Sequence, residues 1–164
     1  MKKKWILAIV LSLCLIGLDQ VSKYWITNTI SLSEKINLIP NLLYITYCQN
    51  TGAAFSMMEG FGKIFFGIIT IVALVFIFYM FKDSQDRVSI LGYVMVFSGA
   101  IGNFIDRMVF NYVRDFIGVY IGSYAFPIFN VADICITVGF AVILIVMVYQ
   151  EVEEKRRWKK ELSK

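Results

Sequence analysis

The sequence contains no histidine among its 164 residues. Nucleophilic sites of the serine–histidine and cysteine–histidine types are therefore excluded, and the nitrogen ligands that zinc usually takes are missing. The three cysteines, Cys14, Cys48 and Cys135, have no paired spacing, so neither a disulfide framework nor a metal site is indicated. A dyad of Ser22 and Lys23 is disfavoured, because neighbouring residues point in different directions on a helix. Carboxylates remain the candidates for acid–base chemistry.

The sequence also lacks a recognisable signal-cleavage site and an evident internal repeat. Residues 11–14 superficially resemble a lipid-attachment box, but bulky Leu13 occupies the position before the cysteine where a small residue is expected. We therefore expect the first apolar run to be a retained helix. The missing repeat disfavours the architecture of many transporters.

Apolar residues, in contrast, are abundant, at 59% of the chain. Soluble domains typically contain about 45–50%, so we predict a mainly α-helical integral membrane protein that forms a single domain over residues 1–164. About 20 mostly apolar helical residues cross a bilayer. Four stretches meet this requirement, and the predicted helices cover about 5–26, 64–81, 88–105 and 129–149.

The basic residues predict the orientation of these helices. Most of them precede the first helix, flank the connection between the second and third, or follow the fourth: Lys2, Lys3, Lys4, Lys82, Arg87, Lys155, Arg156, Arg157, Lys159, Lys160 and Lys164. By the positive-inside tendency these segments are cytoplasmic. Both termini are then inside, and the two longer connections lie outside. The charged segment 150–164 is expected to be a solvated helix or tail that contacts anionic lipid, or only a stop-transfer anchor.

The two outer segments, 27–63 and 106–128, differ in character. In the first, a turn at Pro40 precedes a strand-forming run over 42–47, which predicts a small β-sheet at the membrane surface. Residues 50–54 follow either as a loop whose small residues let the backbone approach a ligand, or as an ordinary turn. The second segment mixes tyrosine and phenylalanine with few charges, so we expect an interfacial helix or re-entrant loop that holds Asp115 near the bilayer surface.

Helical spacing brings several polar residues together. Asp19 and Lys23 are four residues apart, which permits an ion pair of mainly architectural role. Asn103 and Asp106 share a stripe with Gly99 on the third helix. Ser98 and Gly102 on that helix form a pair of small residues that lets another helix approach.

Two aspartates in or beside apolar sequence are the strongest candidates for chemistry. Asp133 shares a face of the fourth helix with Asn130 and Thr137, and Asp115 lies in the second outer segment. A carboxylate near hydrocarbon costs several kcal/mol unless its pKa shifts, so such residues persist mainly where they serve a function. Two carboxylates that share one proton can activate water and donate to a substrate carbonyl.

Five motifs resemble those of bacterial lipoprotein signal peptidase, also called signal peptidase II, in order and spacing. They lie at residues 19–23 (DQVSK), 50–55 (NTGAAF), 99–107 (GAIGNFIDR), 113–116 (VRDF) and 129–133 (FNVAD). The resemblance covers nearly the whole chain. It implies an aspartic endopeptidase of the bacterial plasma membrane, which removes signal peptides from diacylglyceryl-modified prolipoproteins just before the lipidated cysteine.

The resemblance also implies roles for individual residues. Asp115 and Asp133 would form the catalytic pair, at the outer face of the membrane. Residues lining or supporting the substrate site would be Asn50, Gly52, Asn103, Arg107, Asn130, Asp19 and Lys23. No cofactor, metal or nucleic acid is expected. The implied partners are lipid-modified prolipoproteins, membrane phospholipids and inhibitors of the globomycin type.

Two other classes of protein stay open on the residues alone. Carboxylates and an arginine inside a helical bundle can form a proton or substrate path in a transporter. A noncatalytic assembly subunit is the third possibility, which the motif set disfavours. A flux assay in proteoliposomes separates a transporter from a peptidase, because a peptidase releases a peptide and moves no solute.

Overall fold

The computed structural model describes residues 2–52 and 62–162, which form four helices and four strands. The helices are α1 (Lys2–Thr29), α2 (Gly62–Asp83), α3 (Arg87–Phe110) and α4 (Val131–Leu162). The strands are β1 (Lys35–Ile39), β2 (Leu43–Asn50), β3 (Val113–Ile121) and β4 (Tyr124–Ala125). All four helices are long and apolar enough to cross a membrane, as predicted.

The helices extend beyond their predicted ends. Helix α4 continues through the charged segment to Leu162, so residues 150–162 are helical. Helix α3 includes residues 106–110, which were assigned to the second outer segment. It ends at Asn111, which adopts a left-handed conformation with φ of 64° and donates its backbone N–H to the Arg107 carbonyl at 3.1 Å. This C-cap turns the chain out of the helix and into β3.

The second outer segment is a β-strand, so the predicted interfacial helix or re-entrant loop is wrong. Strand β3 pairs antiparallel with β2, and the sheet has the order β1-β2-β3-β4. In this register Cys48 lies opposite Asp115. The aromatic and β-branched residues of the segment suit a pleated surface as well as an interface, and the neighbouring strand decides between them. The predicted sheet therefore exists, but both outer segments build it.

Helix α3 is the centre of the bundle. It packs against α1, α2 and α4, and half of its membrane span is buried, compared with 11% to 22% for the other three. Helix α2 exposes large apolar side chains such as Ile68 and Val72, which suit a surface in contact with lipid. Polar groups on α3 such as Ser98, Asn103 and Asp106 are consequently buried.

Glycines let α3 and α4 approach closely. A Cβ atom at Gly99 would overlap the carbonyl oxygen of Ala132, and one at Gly139 would lie 2.7 Å from the Gly92 carbonyl oxygen. At Gly102 a Cβ would lie 2.5 Å from a carboxylate oxygen of Asp19 on α1. The close approach predicted for small residues on α3 therefore occurs at glycines, and it places the start of α4 beside α3.

We expect Gly99→Ala to destabilise the protein, because the new methyl group meets backbone of α4 that cannot move without separating the helices. The expected cost is about 1–3 kcal/mol, the range of overpacking substitutions. Gly17→Ala in α1 is the matched control: among the described residues, no atom outside its own helix backbone lies within 4 Å of its Cβ position, and alanine favours a helix. Thermal unfolding in detergent micelles measures both variants. Equal midpoints would contradict the close-packing assignment.

Candidate active site

Asp115 lies on β3 with both carboxylate oxygens hydrogen bonded. The side-chain amide of Asn50, at the end of β2, donates to Oδ2 at 2.9 Å. The amide of Asn130, just before α4, donates to Oδ1 at 2.6 Å. Only 2% of Asp115 is exposed. The strand pairing therefore delivers a carboxylate to the ends of α3 and α4, where amide donors surround it.

Asp133 lies in the first turn of α4 and takes part in a reciprocal cap with Asn130. The Asn130 backbone N–H donates to Asp133 Oδ2 at 3.1 Å, and the Asp133 N–H donates to Asn130 Oδ1 at 3.0 Å. This is the geometry of a capping box, here built from asparagine and aspartate. Asn103 of α3 donates to the other oxygen, Oδ1, at 2.7 Å. The carboxylate is thereby held at the helix end.

The two aspartates share one cavity and one neighbour. Asn130 contacts Asp115 through its side chain and Asp133 through its backbone. A cavity of about 620 Å³ is lined by both aspartates and by Asn50, Asn103 and Arg107. The structure therefore brings together side chains from β2, β3, α3 and α4 that are distant along the chain.

The orientation of each asparagine amide is set by a donor to its oxygen. The Gly52 N–H donates to Asn50 Oδ1 at 3.1 Å, and the Lys23 ammonium donates to Asn103 Oδ1 at 3.0 Å. Asn130 Oδ1 accepts the Asp133 N–H. Because an amide oxygen held by a donor leaves the NH₂ group pointing away, all three amides present donors to the carboxylates. Gly52 and Lys23 thus contact the asparagines that donate to the two carboxylates.

The pKa of Asp115 is raised to about 7, chiefly by burial and also by the nearby Asp133 carboxylate. The hydrogen bonds from Asn50 and Asn130 act the opposite way, since they favour the charged form. Near neutral pH the Asp115 carboxyl is therefore partly protonated. A pair in which one carboxyl holds a proton has both an acid and a base available.

A buried charge cluster lies behind the cavity. Lys23 Nζ is 2.9 Å from Asp19 Oδ2 and 3.5 Å from Asp106 Oδ2, and these side chains are at most 2% exposed. The predicted ion pair of Asp19 and Lys23 is thus confirmed, although Asp106 joins it. Two carboxylates need two cations for balance, and Arg114 is the second.

Arg114 is a site residue that sequence reasoning missed. Its backbone N–H, Nε and NH2 all donate to Asp106, at 2.9, 3.1 and 2.7 Å, and NH2 also donates to Gln20 Oε1 at 2.9 Å. The hydrogen bonds from Arg114 to Asp106 connect β3 to α3 at the residue that precedes Asp115. Its position next to Asp115 in the chain was the available signal, but the buried carboxylate that receives the guanidinium is visible only in the fold.

Arg107 and the predicted close-approach loop complete the set of predicted site residues. Arg107 lines the cavity, and its guanidinium lies 4.8 Å from the centre of the Phe66 ring. Of the predicted close-approach loop, Asn50 and Gly52 contact each other as described, whereas Ala53 and Ala54 lie outside the described residues.

The fold and the site together define a class, the membrane-embedded peptidases of the aspartic type. A family model described as signal peptidase (SPase) II matches residues 11–149, and the chain belongs to this family.

Similar proteins support the assignment over most of the chain. The lipoprotein signal peptidase of Halalkalibacterium halodurans is 38% identical over 148 residues, covering 90% of this chain and 95% of that protein. The lipoprotein signal peptidase of Geobacillus thermodenitrificans is 40% identical over 146 residues, with coverages of 88% and 91%. A solved bacterial membrane enzyme superposes with a TM-score of 0.82 at 36% identity, covering 88% of each chain. A second one gives 0.78 at 37% identity, with coverages of 85% and 91%.

Proposed function

We propose that this protein cleaves the signal peptide from diacylglyceryl-modified prolipoproteins immediately before the lipidated cysteine, with Asp115 and Asp133 as the catalytic pair. The observation that carries the proposal is that the two carboxylates, from β3 and α4, line one cavity and are both bound by Asn130. Membership of the signal peptidase II family supplies the class of substrate.

In the proposed mechanism the ionised carboxylate takes a proton from water as the water oxygen attacks the scissile carbonyl carbon. The neutral carboxyl donates its proton to the carbonyl oxygen. The resulting tetrahedral intermediate collapses: the C–N bond breaks, the amine of the cysteine leaves with the proton from one carboxyl, and a hydroxyl of the intermediate gives its proton to the other carboxylate as the new terminal carboxyl group forms, which restores the pair with one proton. The amides of Asn50, Asn103 and Asn130 hold both carboxyls in place through these transfers.

The proposed location is the bacterial plasma membrane, with both termini cytoplasmic and the site at the outer face. The distribution of lysine and arginine supports this orientation. A substrate anchored by a signal helix and two acyl chains is confined to the membrane plane. A cavity at the bilayer edge meets such a substrate without extracting its lipid, so phospholipids and lipidated precursors are the proposed partners.

The experiment that tests the function is incubation of the purified protein with a diacylglyceryl prolipoprotein in detergent micelles. We expect a shortened, lipidated product whose N-terminal residue is the modified cysteine, and inhibition by globomycin. The same precursor without its lipid is the control and is expected to be a poor substrate. Absence of the product, together with solute flux in proteoliposomes, would favour a transporter.

The pH dependence of cleavage is expected to show a loss of rate on the alkaline side. Because the pKa of Asp115 is raised to about 7, this group loses its proton as pH rises through 7, and the pair then has no acid. We expect log(kcat/KM) to fall above about pH 7 with a slope of −1 against pH, which corresponds to the loss of one proton. A rate that stays constant from pH 7 to 9 would contradict the assignment of Asp115 as a proton carrier.

A further inference from the structure

A second cavity lies at the opposite end of the helix bundle. It has a volume of about 570 Å³ and is lined by the last turns of α2, the middle of α4, the start of α3 and the turn between α2 and α3. Asp83 and Asp86 are the charged residues of this lining. The first cavity, at the aspartate pair, is lined by the same three helices.

The two cavities lie on the same faces of these helices. We call the cavity at the aspartate pair the outer cavity and the second one the inner cavity. On α2 the lining residues include Ile69 and Ala73 in the outer cavity, and Phe76, Met80 and Asp83 in the inner cavity. Their spacing of three or four residues defines a single stripe along the helix.

On α3 the same rule joins Asn103 and Ala100 of the outer cavity to Tyr93 and Ser89 of the inner one. Helices α2 and α4 both pack on α3 and have little contact with each other in the described part of the chain. The two cavities therefore lie in line along α3, and a strip of the bundle surface between α2 and α4 connects them. We refer to this strip as the α2/α4 groove.

We propose that the α2/α4 groove binds the helical signal sequence of the substrate, with the basic segment at the start of that sequence in the inner cavity. This inference rests on the proposed function and extends it by naming where the part of the substrate remote from the cleaved bond is bound.

The length of the groove fits a signal sequence. Asp133 lines the outer cavity and Gln150 the inner one, and the 17 residues between them on α4 correspond to about 26 Å of helix. A substrate helix packed alongside spans that distance with a similar number of residues. Signal peptides place a positively charged segment before an apolar run of about 7–15 residues and a short cleavage region, which is the same span.

The chemistry along the groove changes in the order that a signal sequence requires. The outer cavity offers the polar site, whereas Ala73, Phe76 and Met80 offer apolar contacts in the middle and at the inner end. Asp83 and Asp86 then offer negative charge where the substrate's lysines or arginines arrive. Two lysines that are not in the lining lie beside it and partly offset the two carboxylates. The Lys82 ammonium is 5.7 Å from the centre of the ring of Tyr79, a lining residue, and the Lys4 ammonium donates to the carbonyl oxygens of the α2–α3 turn, including that of Ser84 at 2.6 Å.

Asp83 is the better residue to test, because Asp86 also caps α3 by accepting the Ser89 N–H at 2.6 Å. Asp83 is exposed at the last position of α2, where a cation interacts favourably with the helix dipole, so Asp83→Lys retains the fold. The matched control is Glu154→Lys, the same charge reversal on the exposed part of α4 beyond the inner cavity.

The experiment compares two lipidated precursors, one with a basic n-region and one in which its lysines are replaced by glutamate. The measured quantity is the ratio of kcat/KM for the two. Wild-type protein and Glu154→Lys are expected to prefer the basic precursor by about fivefold, and Asp83→Lys to lose or invert that preference. An unchanged ratio in Asp83→Lys would overturn the groove proposal. Failure of the wild-type protein to cleave either precursor would instead overturn the proposed function.

A second measurement does not depend on charge. A photocrosslinking amino acid at position 76, in the groove, is expected to capture the apolar part of the signal sequence. The same group at position 71, on the opposite face of α2, is the control and is expected to capture lipid instead. Equal crosslinking of the substrate from both positions would exclude the groove as its binding surface.

Discussion

Asp115→Asn is expected to abolish cleavage of a lipidated precursor, with a loss of at least about 10²–10⁴-fold in kcat, and Asp133→Asn is expected to do the same. An amide neither accepts the proton of the attacking water nor shares one with its neighbour. The initial rate of product formation on the diacylglyceryl precursor measures the effect. Glu154→Gln, which removes a carboxylate far along α4, is the control and should retain full activity.

The loss must be separated from misfolding, and the raised pKa of Asp115 supplies a readout. The pKa of Asp115 in the folded protein is above the unfolded value of 3.8, so the folded protein binds this proton more tightly. The protonated carboxyl therefore contributes to the free energy of unfolding at low pH, and this contribution is lost as pH rises from about 4 through 7. In Asp115→Asn that loss is absent, so the variant should gain stability relative to wild type as pH increases. An inactive variant with this behaviour is folded. Full activity in either asparagine variant would end the assignment of the pair.

The parts of the molecule that sequence predicts well are those set by local spacing. Four spans follow from apolar runs of sufficient length, and the Asp19–Lys23 pair follows from a separation of four residues on one helix. Asp133 could be identified as a candidate because a carboxylate in an apolar helix is costly. Each of these inferences uses only residues that are neighbours in the chain.

The parts that sequence reasoning missed depend on residues far apart in the chain. Strand β3 forms because it pairs with the edge of β2, where Cys48 lies opposite Asp115. The local sequence of β3 does not predict this pairing. The burial of Arg114 likewise depends on Asp106, which comes from the last turns of α3. Segments rich in tyrosine and phenylalanine suit both an interface and a sheet, so composition alone could not decide between them.

Lys23→Met is expected to produce the largest loss of stability among single substitutions in the cluster. The ammonium is fully buried, contacts Asp19 and Asp106, and donates to Asn103 Oδ1. Its removal leaves Asp106 paired with Arg114 and leaves Asp19 without an ion-pair partner in the described structure. Breaking a buried ion pair in this way costs about 3–5 kcal/mol. Thermal or denaturant unfolding in micelles measures the effect.

Activity should fall for a second reason, which distinguishes Lys23 from a residue that only stabilises the bundle. Without the ammonium, Asn103 Oδ1 keeps only the more distant donor from Asn130 Nδ2, at 3.2 Å, in the described structure, so the hydrogen bond from Asn103 to Asp133 is held less firmly. We expect the pH–rate profile to change, because the sharing of a proton between the two carboxyls depends on the hydrogen bonds that each of them accepts.

The double variant Asp19→Asn with Lys23→Met separates the two effects. It removes one charge of each sign, so much of the lost stability should return, whereas the orientation of Asn103 should not. Lys155→Met, which breaks the exposed pair with Glu151 on α4, is the control and should leave both the unfolding midpoint and the profile unchanged. A double variant that recovers stability together with the wild-type profile would show that Lys23 balances charge and does not orient the amide. The electrostatics of the buried cluster and the geometry of the carboxylate pair would then be independent of each other.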